Sequence, residues 1–135
     1  MIPLLEIRQK IKTALDDKLG GLVSVEYAPE KPREYAVLHP NGSALIEFTG
    51  TSFSEPDIMQ QTALINFNIE LCLRAGYNGE SGLQILDLVR QTMTTQININ
   101  GLGFYCTGQT NDGEENGVWF YSNNFILPQI IRKGD

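Results

Sequence analysis

Residues 63–74, "ALINFNIELCLR", constrain the fold more than any other stretch of the chain. Ile65, Phe67, Ile69, Leu71 and Leu73 share one parity, while Asn66, Asn68, Glu70, Cys72 and Arg74 share the other. A period of two is the signature of a β-strand, whose successive side chains point to opposite sides of a sheet. A strand apolar on one side only belongs to an antiparallel sheet that is covered on one face. Its polar face meets either water or another subunit. On this facing, Ile69→Asp is expected to unfold the domain and Asn68→Asp to be mild.

Two stretches supply the cover. Pro3 opens a helix, where its missing N–H costs nothing. Leu4, Ile7, Ile11, Ala14, Leu15 and Leu19 then recur at helical spacing until Gly20-Gly21. The polar side mixes Glu6, Asp16 and Asp17 with the basic residues, which argues against a helix lying on a membrane. A second stripe, Gly82, Ile85, Leu86, Val89 and Met93, predicts a helix over 82–95 with Ser81 as its N-cap. The strand, Gly-containing loop and helix around it do not make a phosphate cradle. The spacing is neither GxGxxG nor a P-loop, and Glu80 would repel a phosphate.

Further strands flank these elements. "LVSVEY", residues 22–27, reads as a strand and "APEKPRE" as a linker. Tyr35–Leu38 and Ala44–Phe48 read as a hairpin around Pro40-Asn41-Gly42. The single histidine, His39, stands at its mouth, a structural place more than a catalytic one. "GTSFSEPDIMQQ" reads as a long polar loop, and long loops are often functional. Two closing strands, "GLGFYCTGQ" and "GVWFYSNNFIL", flank the loop "TNDGEEN". In the second, Trp119, Tyr121, Phe125 and Leu127 form an aromatic face. Helices and strands are segregated, so the expected class is α+β, a mostly antiparallel sheet with two amphipathic helices on one face, as a single domain over 1–135.

The chain has 135 residues, 41% of them hydrophobic and 19% charged, enough to build a core without metal or disulfide. A net charge of −6 argues against a general nucleic-acid binder. Four of the ten basic residues (Arg8, Lys10, Lys12 and Lys18) fit the wet side of the first helix. Cys72 and Cys106 show no CxxC spacing and are expected to be free thiols; with one histidine, no zinc site is expected. Asp112, Glu114 and Glu115 lack the EF-hand pattern and read as a solvated acidic tip. No cofactor is expected. No apolar run is long enough to span a membrane and the first residues do not resemble a secretory signal, so the expected location is the cytoplasm.

Three stretches carry a family resemblance. "HPNGSALIEFTGTSF" resembles an HP-x-G-apolar hairpin ending in a G-S/T-x-aromatic loop. "FNIELCLRAGYNGESGLQILDLVRQTM" resembles a long strand, an Arg, a Gly-containing loop and a helix with an L-x-x-VR pattern. "NGVWFYSNNFIL" resembles a final strand with a G-x-W-x-Y-x-x-x-F motif. Their order and spacing, from about residue 22 to 127, are similar to the small tail proteins of Mu-like phages and prophages, of the tail-terminator or tail-completion type.

The resemblance implies a structural protein. Tail terminators share an α+β fold and form a six-membered ring that stops tube growth and faces the head-side connector. The implied partners are further copies of the chain, the tail tube and the connector, within a bacterial host. A closed ring needs a heterologous interface. Candidates are the polar side of the long strand (Asn66, Asn68, Glu70 and Arg74) and the loops around it. Those loops contribute Phe53, Asp112, Glu114 and Glu115. The rival readings are another tail or baseplate adaptor, and a small acid–base hydrolase using His39 with Glu47 or Glu34.

Overall fold

The computed structural model describes residues 1–31, 39–57, 59–74, 76, 79–132 and 134. Two helices and five strands follow in the order α1 (Leu4–Leu19), β1 (Ser24–Tyr27), β2 (Gly42–Phe53), β3 (Gln60–Arg74), α2 (Glu80–Thr95), β4 (Tyr105–Glu115) and β5 (Val118–Arg132). They build one sheet with strand order β1-β2-β3-β5-β4, and only the β1–β2 pair is parallel. This is the α+β architecture that the segregated pattern predicts.

The period-two reading of β3 is correct in facing. Ile65, Phe67, Ile69, Leu71 and Leu73 are at most 1% exposed, and they join the α1 and α2 stripes in one core. From α1 come Ile7, Ile11, Leu15 and Leu19, four apart and fully buried; from α2 come Ile85, Val89 and Met93. Each such side chain contributes roughly 1.5–3 kcal/mol of burial. Tyr121, Phe125 and Leu127 of β5 close the same core, with Trp119 packed at its margin. Both helices therefore lie on one face of the sheet. Cys72 packs with the opposite face, whereas Cys106 packs at the margin of the helix-side core; both are free thiols.

Polar side chains fasten the layers. Lys12 Nζ donates to Asp16 Oδ2 (2.8 Å) and to the Val25 carbonyl (3.1 Å), and the Arg8 guanidinium lies 4.1 Å from the Tyr27 ring centre. Together they tie the short edge strand β1 to α1. Gln109 Nε2 donates to the Leu86 carbonyl (2.9 Å) and to Asn123 Oδ1 (2.8 Å), joining β4 to α2 and β5. Asn100 Nδ2 donates to Gln129 Oε1 (3.2 Å), which holds the loop after α2 against the sheet.

Several boundaries differ from the sequence reading. The helices begin and end within two residues of expectation, but α2 starts at Glu80, which puts Ser81 inside the helix and Gly79 at the N-cap. Leu22 and Val23 precede β1 in a turn that closes on the Leu19 carbonyl. The supposed loop 50–61 is mostly sheet: Gly50–Phe53 continue β2 beyond a bulge, and Gln60 starts β3. "TNDGEE" is likewise the end of β4, and the turn is only Asn116-Gly117, both at positive φ as a tight two-residue hairpin requires. Tyr35–Leu38 lie outside the described residues. A hairpin of that segment with 44–48 would need an edge of β2 that β1 occupies over Ser43–Ile46.

The polar side of β3 also departs from expectation. Asn68 and Glu70 are 7% and 6% exposed, and Cys72 is buried with Leu45 and Phe120. Asn68 Oδ1 accepts the Asn123 backbone N–H (2.9 Å), while its Nδ2 donates to Glu70 Oε2 (3.1 Å). Asn68→Asp is therefore not mild. It removes that donor and sets a second carboxylate against Glu70 in a buried place. We expect a loss of about 2–3 kcal/mol. Asn66→Asp, half-buried and donating only to the Leu64 carbonyl, is the control and should cost little. Denaturant midpoints of the two variants measure the difference.

Candidate assembly surfaces

The sheet face away from the helices, the open face, divides into two halves. Register places Glu26, Glu47, Glu70 and Glu115 on this face, and Asp112 reaches it through Ser122. Glu70 Oε2 and Asp112 Oδ2 both contact Ser122 Oγ. One hydroxyl carries one proton, so it donates to one carboxylate at a time. Among the described residues no group of three His, Cys, Asp or Glu stands together as a metal site.

Of the residues that sequence reading singles out, Asn68 and Glu70 are brought together as internal ties of the monomer. Arg74 is exposed, and its Nε donates to the His39 carbonyl (3.1 Å). His39 Nδ1 accepts the Asn41 N–H (3.1 Å), so the ring closes a local turn at the end of β3. Glu34 lies outside the described residues, and Glu47 sits mid-strand opposite Asn68. Glu114 Oε1 accepts the Gly117 N–H (2.6 Å) and shapes the hairpin tip, where Glu115 is exposed. Phe53 ends β2 and is 55% exposed, so it does not fold back over its own core.

Sequence reading missed the other half of the open face. Tyr105 pairs with Ile126, Leu64 pairs with Pro128, and Ile130 follows on the same side. Tyr105, Leu64 and Ile130 are 59%, 37% and 45% exposed. The signal was present in "FILPQII", where apolar residues occupy both parities of one strand. On the helix side of the same end, Phe48 is 43% exposed and meets Phe67 edge-on, with ring centres 5.5 Å apart. The sheet end is thus apolar on both faces.

The chain also resembles known proteins. One solved structure matches over 90% of this chain and 95% of its own, at 14% identity and a TM-score of 0.47. No curated protein matches. The model of the Gp37 protein family matches residues 12–131, which span α1 from its middle to the last turn of β5's ladder. The chain therefore belongs to the Gp37 family, a family of phage proteins.

Proposed function

We propose that the protein is a tail terminator: several copies, six by the resemblance, close into a ring on the tail tube, stop its growth and present a surface to the connector. The observation that supports this most is membership of a phage protein family over nearly the whole chain, combined with the tail-protein motifs in their order. In this reading the protein is a structural part and not an enzyme, made in the host cytoplasm and carried into the particle. Among the described residues no helix is long and apolar enough to cross a membrane.

The chemistry of the surfaces suits such a part. An acidic wall repels the phosphate backbone, which keeps a channel from gripping DNA that passes through it. The open-face carboxylates are the groups available for that wall. Exposed aromatics supply the anchors of protein contacts.

Deleting the gene tests the reading. Tails of irregular, extended length are expected, and tails of normal length would remove the terminator role. Within the protein, Phe53→Ala should leave the monomer as stable as before, because the side chain is mostly exposed, yet abolish ring formation. Thermal melting reads the first effect, and native mass spectrometry at several concentrations reads the second.

A further inference from the structure

The two apolar patches at one end of the sheet lie on opposite faces. The partition follows from the register. Phe48 pairs with Phe67 and Phe53 with Ala63, both on the helix side, whereas Leu64, Ile126 and Ile130 belong to the open side. Scattered exposed apolar residues are ordinary. Here they are contiguous across strands, large, and present on both sides of the same strands. A two-fold dimer buries one patch against its own copy and leaves the other wet. A head-to-tail contact buries one patch of each kind and repeats, giving a ring where the rotation closes.

Charge points to the same pairing. The helix-side patch runs into the exposed loop after Phe53, which carries Glu55 and Asp57. The open-face strip ends on Arg132, two residues beyond Ile130 in β5. An acidic flank on one patch and a basic flank on the other favour the unlike pair and disfavour each like pair. β4, the long edge strand, is interrupted by two bulges, which makes strand addition along that edge the poorer route to assembly.

We infer that a second copy of the chain is the occupant: Phe48 and Phe53 of one protomer seat on the Leu64, Ile126, Ile130 and Tyr105 strip of the next. The contact gives the ring of the proposed terminator its interface, and in that respect it rests on that reading. So few large side chains fall short of the 20–30 residues a side of a stable interface. Pairs are therefore weak in solution, and ring closure or the tube end supplies the remaining stability.

Two variants test it, Phe53→Cys and Ile130→Cys, each combined with Cys106→Ser to remove the half-buried native thiol; Cys72 is buried. Circular dichroism confirms that each is folded. The purified proteins are oxidised at high concentration, singly and as an equal mixture. Covalent dimers are expected in the mixture and not in either variant alone. Adding Leu64→Arg to the Ile130→Cys protein should abolish them. Dimers from either variant alone, or none in the mixture, would overturn the inference. This readout involves no tails. A failed crosslink with irregular tails from the gene deletion sinks the contact and leaves the terminator reading standing; the reverse pair of results sinks the terminator reading and leaves the contact.

Discussion

Ile69→Asp should yield no folded protein. Ile69 is fully buried at the middle of β3, between Ile46 of β2 and Asn123 of β5, beneath the helices. An aspartate there loses the apolar burial and puts an ionised group into the core without water. Such substitutions cost more than about 4 kcal/mol, a large part of the roughly 5–15 kcal/mol that stabilises a domain. Leu64→Asp is the matched control: same strand, opposite face, 37% exposed. Circular dichroism and size exclusion should show a native monomer for Leu64→Asp and none for Ile69→Asp. Equal tolerance of both would mean that the facing of β3 is wrong.

The second large effect comes from a single methyl group. Gly42 opens β2 at φ +140 opposite Leu73. A Cβ at that position would stand 2.0 Å from the Cys72 carbonyl oxygen and 3.0 Å from its carbonyl carbon. These are backbone atoms of the neighbouring strand, so relief requires the β2–β3 ladder to part. Gly42→Ala should cost about 3 kcal/mol or more. Gly50 has nearly the same dihedral, φ +136, but nothing lies within 4 Å of its Cβ position. Gly50→Ala should therefore cost only about 1 kcal/mol, the conformational part alone. The difference between the two denaturation midpoints isolates the steric part. Equal midpoints would show that the strand start is looser than its geometry.

These pairs also show how far the sequence is legible. The facing of β3 is readable because its alternation is strict over ten residues and a slip by one would reverse every side chain. The helix stripes are readable for the same reason at a different period. The extent of β2 and β4 is not. "GTSF" and "TNDGEE" are polar and glycine-bearing, which reads as loop. Both nevertheless extend strands, through bulges at Phe48/Gly50 and Asn111/Gly113 that local pattern does not reveal. The Asn116-Gly117 dipeptide was the better turn signal.

Burial on the open face is a tertiary property. Alternation gives the polarity of Asn68 and Glu70. It cannot show that Asn68 reaches the Asn123 backbone, or that Leu45 and Phe120 enclose Cys72 from the adjacent strands. Phe53 was legible as a lone aromatic among polar residues. The Leu64–Ile130 strip was hidden because each of its residues looks like core when its strand is read alone.

The most direct measurement of the central claim is an electron cryomicroscopy reconstruction of the phage particle, or of tails purified with their head-side end intact. The terminator account predicts one ring of this protein, six copies by the family resemblance, on the head-proximal end of the tube. A location at the distal end among baseplate proteins, or absence from the particle, would contradict it.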